Sequence, residues 1–289
     1  MTFNAIKLAT ILLTLTVGVA AALFLDRPKD SVKTAQPRLA ETNITKPAVA
    51  VPTASPNHEA VFGEGKLRIV LKHVERKSER LRYAINVTYP QIAGSDNLYI
   101  LRLNQYIQRL VTDQYQWPLH PSKADLKYYR EKWSDVFNSV DIDYDIRAAN
   151  DSLLSIYFEG YSYGIGAAHS VQYSFSLNYD LTVRKELKLP DLFDHRSKYL
   201  EFISHYCITE LSKKPEGLSE DAIKPKADNF ASWNITREGI SFNFDACKVF
   251  GCASGKQVVV IPFNALRPLL NRRWQNVLQR TMATMVDDI

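Results

Sequence analysis

The chain has 289 residues, of which 46% are hydrophobic and 23% charged, a composition typical of a globular protein with an ample core. Its net charge is +5, and six of the 36 basic and four of the 31 acidic residues precede Val61, which leaves +3 on the remainder. A positive charge so mild and so dispersed argues against a nucleic-acid-binding surface, so we expect no nucleic-acid partner.

The first apolar stretch runs from Leu8 to Leu25 and carries no charge. At a rise of about 1.5 Å per residue it just spans a hydrocarbon core of about 30 Å, which predicts a signal anchor after a short cytoplasmic end, residues 1–7. The alternative is a signal peptide cleaved near Val19-Ala20-Ala21, after which the protein would be secreted. Lys7 on the inner side places the rest of the chain outside the cytoplasm, in the periplasm of a single-pass protein of the bacterial cytoplasmic membrane.

Residues 26–60 are rich in proline, alanine and threonine and show no periodicity. Their five prolines disfavour helix and sheet, because proline fixes its own backbone and donates no hydrogen bond. We therefore predict an extended tether that carries a globular domain, residues 61–289, away from the membrane.

The first part of this domain predicts two strands and a helix. Alternating apolar residues indicate strands near 67–71 and 81–89, and we expect Pro90 to end the second strand. A helix should start at Ser95 or Asp96 and run to about Tyr115. Residues 117–132 are polar and mixed, which predicts a loop with one helical turn, and residues 136–147 alternate as a strand does.

A long hairpin follows and is expected at the centre of the sheet. From Val171 to Leu181 the odd-numbered residues are all apolar and the even-numbered ones polar, which is typical of a strand with one buried and one solvated face. Leu154, Ile156 and Phe158 alternate in the same way. The loop Gly164–His169 joins the two runs, and its glycines allow the backbone to turn.

The last part of the chain predicts two more helices around a second group of strands. The first helix should run from Asp194 or Ser197 to about Leu211, and the last from about 265 to 285 with Pro268 in its first turn. A hairpin at 230–245 and a buried strand at 258–261 lie between them. Strands and helices do not alternate regularly, so we predict an α+β fold with a mainly antiparallel sheet and about three helices.

Three motifs of the chain resemble the RsiV-like extracytoplasmic domain. They are Tyr161-x-Tyr-Gly-x-Gly-Ala-Ala-His169, Asn178-Tyr-Asp-Leu181 and Leu187-x-Leu-x-Asp-Leu-Phe193, and the resemblance extends over roughly residues 67–270. Ser170 departs from the family pattern, which has proline there. The family's domain occurs in an anti-sigma factor that senses lysozyme and, outside the catalytic domain, in some peptidoglycan deacetylases. The resemblance implies a lysozyme-like protein or peptidoglycan as partner.

His169 is the sharpest candidate for chemistry, since a histidine beside Asp180 or Asp191 could act as a general base. No nucleophile motif accompanies it, and the alternative is a histidine that bonds the backbone of its own turn. The six histidines are scattered without ligand spacing, so we expect no metal site and no cofactor. We accordingly expect no enzyme, with a cell-wall glycan hydrolase or transferase using His169 and a carboxylate as the alternative.

The hairpin supplies the candidate binding residues: Tyr161, Tyr163, Gly164, Gly166 and His169. Tyr157 belongs to the same row of tyrosines, whose rings combine a large apolar area with a polar tip and therefore suit sugars and protein partners. Tyrosine is equally a common strand residue, and we expect Tyr173 and Tyr179 in the core.

Cys247 and Cys252 flank a turn between two strands, and in an oxidising compartment we expect them to form a disulfide. Cys207 is left over as a buried apolar residue. The leading hypothesis is a membrane-tethered envelope domain that binds a lysozyme-type muramidase, as sensor or inhibitor, or peptidoglycan. A purely structural envelope component is the third hypothesis.

Overall fold

The structure, a computed structural model, describes the backbone of residues 61–62 and 67–284 and the side chains of residues 67–278. The proposed anchor, residues 8–25, and the tether, residues 26–60, lie outside the described residues. Of the helices that the structure describes, none has the length and apolar character needed to cross a bilayer.

The main element is a mixed sheet of seven strands in chain order. Neighbouring strands are antiparallel except for β3 and β4, which are parallel. The strands are β1 (Val61–Phe62), β2 (Leu67–Ser78), β3 (Tyr83–Ala93), β4 (Asn138–Ala149), β5 (Leu153–Tyr163), β6 (Val171–Asp180) and β7 (Lys185–Glu186). The predicted hairpin is β5–β6, but β4 and not the hairpin occupies the middle of the sheet.

Pro90 does not end its strand, because β3 continues to Ala93 with Pro90 opposite Leu71 of β2. On its other side β3 pairs with β4 only as far as Val87, so no neighbouring strand requires a donor at position 90. Two residues further on, the Asn104 side chain bonds both the N–H and the C=O of Ile92, at 2.8 and 2.9 Å. The backbone N–H groups of residues two apart on a strand point the same way, so the missing N–H of Pro90 would face away from β2, toward Asn104.

Five α-helices are described: α1 (Leu98–Gln114), α2 (Lys123–Lys132), α3 (Tyr199–Leu211), α4 (Phe263–Leu266) and α5 (Arg272–Thr284). Residues 117–132, predicted as a loop with one helical turn, form a turn of 3-10 helix and then the ten-residue α2. Ser122 starts α2 through a capping box with Asp125, in which each backbone N–H bonds the other side chain at 3.0 and 3.1 Å. No residue of α2 is buried, so the helix has no apolar stripe that a sequence pattern could show.

The predicted C-terminal helix is two helices, because the chain breaks between Leu266 and Arg272. Pro268 lies inside this break and cannot donate the hydrogen bond that a continuous helix needs there. Asn271 begins the second helix by accepting the N–H of Trp274 on its side chain at 3.1 Å.

A second sheet has the order β10–β9–β8, with β8 at Trp233–Ile235, β9 at Gly239–Phe244 and β10 at Gln257–Pro262. Two apolar clusters form the core. One contains Val111, Ile142 and Phe158 and lies between α1 and the main sheet. The other packs α3, α4 and α5 against the second sheet, around residues such as Phe242 and Trp274.

The polar face of β6 is not solvated throughout, in contrast to the prediction from its alternation. Asn178 is 3% exposed, because β8 of the second sheet lies over this part of β5 and β6. The Asn178 side-chain amide donates to the Trp233 carbonyl at 2.8 Å, and Ser176 donates to Asn234 at 2.9 Å. The two sheets therefore meet through paired amides and hydroxyls, and this part of the main sheet is called the covered half below.

Candidate functional site

The opposite end of the same sheet face remains open. Val140, Ile142 and Phe158 point into the α1 cluster, so the residues that alternate with them point to the other side. Where the second sheet does not reach, these residues form a polar surface across five strands, which we call the open face. Its members are Glu75, Asn86, Thr88, Asp141, Asp143, Glu159, Tyr161 and Gln172.

Strand β4 contributes a row of carboxylates to this face. Asp141 lies beside Asn86 on one neighbouring strand and Tyr161 on the other. Partial burial raises the pKa of the Asp141 carboxyl above its ordinary value, and a hydrogen bond from Asn86 opposes this rise. Among the described side chains, Asp141 has no ion-pair partner within 4 Å. Its neighbour Asn86 also accepts a hydrogen bond from His73 at 2.8 Å.

The other two carboxylates of β4 are held by specific partners. Asp143 accepts hydrogen bonds from the Thr88 hydroxyl and from the Tyr144 N–H, the latter at 2.8 Å. Asp145 forms an ion pair with Arg147 at 3.2 Å. The three carboxylates thus differ in environment: among the described side chains Asp141 is exposed without an ion-pair partner, whereas Asp145 has one.

A charged cluster around Glu159 borders the open face. The Lys256 ammonium group, which arrives from the second sheet, lies 2.8 and 2.9 Å from the two Glu159 carboxylate oxygens. The Gln172 side-chain amide donates to the same carboxylate and lies 3.3 Å from the Tyr161 hydroxyl. The Tyr161 ring is 36% exposed, so its phenol is held at the edge of the cluster while its ring contacts solvent.

Tyr157 is not part of the surface with which we grouped it, because it is 4% exposed. Its ring lies beneath the Arg147 guanidinium and the Lys256 ammonium group, at 4.9 and 5.4 Å from its centroid. Burial, followed by the Glu159 charge, raises the pKa of the Tyr157 phenol. The residue therefore supports the two cations from below and is unavailable to a ligand.

Of the tyrosines expected in the core, both are half-buried. Tyr173 packs its ring directly over Gly160, where a Cβ would approach the ring within 2.3 Å. Any side chain at position 160 would displace this ring, so the glycine is required by close approach.

The loop of the hairpin is fixed by its backbone. Ile165 donates its N–H to the Asn138 side chain at 2.8 Å, and Ala167 donates to the Gly164 carbonyl at 2.9 Å. Gly166 has φ +90°, which residues with side chains rarely adopt. Tyr163 lies just before the loop and is half-exposed opposite Ser139 of β4.

His169 is exposed, and its Nδ1 lies 2.9 Å from the carbonyl of the adjacent Ser170. The structure does not bring it to the carboxylates that we expected beside it. Asp180 lies at the far end of β6, about 30 Å away for a ten-residue strand, and is engaged by Arg273 and Thr182. Asp191 accepts the Lys188 N–H at 2.9 Å in a different turn.

An aromatic pair beside the hairpin loop was missing from the sequence-based candidates. The Trp133 ring N–H donates to the Tyr128 hydroxyl at 3.3 Å, and both rings are substantially exposed. Gly166 lies against them, since a Cβ there would be 4.0 Å from each of the two polar atoms. Aromatic residues between 117 and 133 were the available signal, but we had interpreted residues 117–132 as a loop with one helical turn.

Cys247 and Cys252 form the expected disulfide, and Cys207 is free and buried. Burial raises the pKa of the Cys207 thiol to about 12, so it is protonated and unreactive at neutral pH. Within the part of the chain that the structure describes, no three His, Cys, Asp or Glu side chains are grouped so as to hold a metal ion.

The chain is similar to a protein family of unknown function and to part of a peptidoglycan enzyme. Residues 190–264, which include the second sheet, match the model of a protein family of unknown function, DUF3298. Over 142 residues, 47% of this chain, it is 28% identical to the peptidoglycan-N-acetylmuramic acid deacetylase PdaC of Bacillus subtilis. The match spans only 30% of that enzyme's length.

Two crystal structures of DUF3298 proteins are similar to the chain. One, from Bacteroides fragilis, is 18% identical and superimposes over 79% of this chain and 99% of its own length with a TM-score of 0.55. The other, from Pseudomonas aeruginosa, is 15% identical and covers 71% of this chain and 96% of its own, with a TM-score of 0.48. The first similarity shows a shared fold.

Proposed function

We propose that the chain is a binding domain of the bacterial cell envelope that recognises the glycan of peptidoglycan through the open face. The observation that carries the proposal is a broad polar sheet surface, bearing carboxylates and an exposed tyrosine, that no other described element covers. Polar side chains on rigid strands are held in position, which lowers the entropy that binding must remove.

The chemistry of the open face suits a polyhydroxylated ligand. Ionised carboxylates such as Asp141 are strong acceptors for hydroxyl groups, and Asn86 and Gln172 supply amide donors beside them. The exposed ring of Tyr161 offers an apolar face next to these groups, as sugar rings require on their C–H side. The similarity to a deacetylase named for peptidoglycan supports a ligand from the cell wall.

A second candidate partner is a lysozyme-type muramidase, met as a sensor or inhibitor, as the RsiV-like resemblance implies. The row of carboxylates on β4 favours it, because a basic protein would be attracted to Asp141, Asp143 and Asp145. Such a partner would need an interface of about 1,600 Å² in total. We place either function outside the cytoplasm, with residues 8–25 as a single membrane anchor or as a cleaved signal.

The surroundings of His169 support a binding protein and not a hydrolase or transferase. His169 contacts its own neighbour, and the two aspartates considered as its partners are engaged elsewhere. A general base needs its substrate proton and an orienting group within hydrogen-bond reach, and among the described residues the hydrogen bond of His169 is to a backbone carbonyl.

Co-sedimentation of the purified protein with isolated peptidoglycan tests the proposal. We expect saturable binding that the double variant Asp141→Asn/Asp143→Asn weakens at least tenfold, because two charged acceptors are lost. Asp113→Asn is the matched control, since Asp113 is an exposed carboxylate on α1, on the other side of the sheet.

Three results would decide against it. Binding that is unchanged in the double variant would remove the open face as the site. Binding to a muramidase without binding to peptidoglycan would favour the second partner. Release of soluble fragments from peptidoglycan with turnover would restore the enzyme hypothesis.

A further inference from the structure

The loop that joins β9 to β10, residues 245–256, connects the disulfide to the open face. It begins at Asp245, which accepts a hydrogen bond from Ser174 of β6 at 2.5 Å, and ends at Lys256, which binds Glu159 of β5. Both ends of the loop therefore contact the main sheet at the boundary between its covered and open parts. The Cys247–Cys252 disulfide closes the loop between these contacts.

The two parts of the loop are anchored differently. The part just before Lys256 is held by hydrogen bonds, since the Gln257 side-chain amide donates to the carbonyls of Ser254 and Gly255 at 2.7 and 3.3 Å. Val249 and Phe250 are buried in the second core cluster, and the Val249 carbonyl accepts the Ser219 N–H at 2.8 Å. Gly251, Cys252 and Ala253 are exposed, and the disulfide is the covalent link that holds this exposed part. Four residues beyond Cys252, the chain delivers Lys256 to Glu159 through Gly255, whose φ of +63° favours glycine.

Cys247 is held in an unfavourable backbone conformation. Its φ is +69°, in the left-handed region that residues with a Cβ rarely adopt. Such a conformation persists where the surrounding structure enforces it, and here the disulfide partner lies five residues away. Opening the disulfide would allow Cys247 to relax and would remove the covalent cross-link from the segment that precedes Lys256, which would then be held by hydrogen bonds alone.

We propose that the Cys247–Cys252 disulfide is a redox control of the open face, and that it acts through Lys256. Both cysteines are exposed, so a thiol reductant can reach them. One thiolate of a dithiol attacks one sulfur and forms a mixed disulfide while the other cysteine leaves. The second thiol of the reductant then closes its own disulfide. Two electrons and two protons pass to Cys247 and Cys252, which end as thiols.

Reduction changes the charge and order of the open face. When Lys256 leaves Glu159, the carboxylate retains Gln172 and Tyr161 as partners and the face becomes more negative. The Tyr161 ring, whose phenol is held by this cluster, loses part of its support. The effect on a ligand rests on the proposed function, whereas the release of Lys256 does not depend on it.

Chemical labelling of lysines tests the release of Lys256. The purified protein is acetylated with an amine-reactive ester before and after reduction with dithiothreitol, and each lysine is quantified by peptide mass spectrometry. We expect the labelling rate of Lys256 to rise about two- to fivefold on reduction, the scale of one surface ion pair. Lys188 is the matched control, because it forms an ion pair with Glu186 of β7 at 2.5 Å, and Glu186 lies opposite Tyr179, five residues along β6 from Ser174. Its labelling rate should not change on reduction.

A cycle of variants links this release to binding. Peptidoglycan affinity should change on reduction of the wild type, and Lys256→Met should show the same change before reduction and no more after it. The Cys247→Ser/Cys252→Ser variant should bind peptidoglycan as the reduced wild type does. If that variant does not fold, the comparison of oxidised and reduced wild type with Lys256→Met is sufficient for the test.

Equal labelling of Lys256 in both redox states would overturn the proposal, as would a response to reduction that persists in Lys256→Met. If the protein binds no peptidoglycan at all, the proposed function fails. The labelling result then still decides whether the disulfide holds Lys256.

Discussion

The two halves of one sheet face differ in how their polar groups are satisfied. In the covered half, Ser155, Asn178 and Asn234 are at most 3% exposed and bond one another or the backbone. In the open half, solvent reaches the carboxyl groups of Asp141 and Glu159. Amides and hydroxyls can be buried when they are paired, whereas an ionised group loses far more when it leaves water.

This difference teaches how a polar strand face can be interpreted. Strand β6 shows the same polar alternation along its whole length, but its covered part carries serine and asparagine. The acidic residues concentrate on the open parts of β4 and β5. Asp180 is an acidic residue that is buried, but its charge is paired, because Arg273 forms an ion pair with it.

Replacement of Asn234 would give the largest effect on the covered half. Its amide donates to Ser155 and to the Ile156 carbonyl, and its oxygen accepts from Ser176 and Asn243. Asn234→Ala leaves several of these groups buried and unpaired, at about 1–3 kcal/mol each, so we expect a loss of at least about 3 kcal/mol in the free energy of unfolding. Urea denaturation measures it.

Asn86→Ala is the control for this variant, since Asn86 is an exposed asparagine of the open half. We expect it to change the free energy of unfolding by less than about 1 kcal/mol. Similar losses in the two variants would mean that the halves do not differ in the way described.

Tyr161→Ala tests the open half as a binding surface. If the exposed ring anchors the ligand, affinity should fall by about 2 kcal/mol or more, which is roughly thirtyfold, with little change in stability. Tyr161→Phe keeps the ring and should retain most of the affinity. Titration calorimetry with solubilised peptidoglycan fragments provides the measurement, and an unchanged affinity in Tyr161→Ala would remove the ring from the site.

His169→Ala should have a smaller effect, because the polar contact that the imidazole makes within the described residues is with the carbonyl of the next residue. The glycines that shape the loop remain, so the variant should fold. Its affinity should fall by no more than one lost contact, about 1 kcal/mol. A loss of at least about a hundredfold in a turnover assay would instead show proton transfer by His169.

The smallest effect concerns the pH dependence of stability at Asp141. The folded protein raises the pKa of this carboxyl, so ionisation opposes folding once the pH exceeds the ordinary value of 3.8. Below that value the carboxyl is protonated in both states and the penalty disappears. Asp141→Asn should therefore slightly raise the thermal midpoint at pH 7 and leave it unchanged near pH 3, as measured by calorimetry.

The same variant should weaken ligand binding while it stabilises the fold. That combination marks a residue retained for binding, because a purely structural carboxylate would lose stability when it is replaced. A lower thermal midpoint at pH 7 would contradict the assignment.

The strands with strict alternation could be predicted from the sequence, and so could the disulfide and the exposed hairpin loop. Three features depended on tertiary contacts. The strand continues past Pro90, because the Asn104 side chain bonds its backbone where a neighbouring strand would otherwise pair. Helix α2 begins at a capping box and has no buried apolar face. Tyr157 has the same alternation as Tyr161, but the loop that brings Lys256 covers only Tyr157.

The open edge of β2 bears on how molecules of this protein associate. Among the described residues, β2 pairs on its outer side only at Leu67 and Arg68, so a strand of another molecule could in principle extend the sheet. Beyond the exposed Leu71, this edge carries charge or a titratable ring on both faces, at Lys72, His73, Glu75, Arg76 and Lys77. Charged edge strands resist edge-to-edge pairing with the same strand of another molecule, which should keep the protein monodisperse at high local concentration.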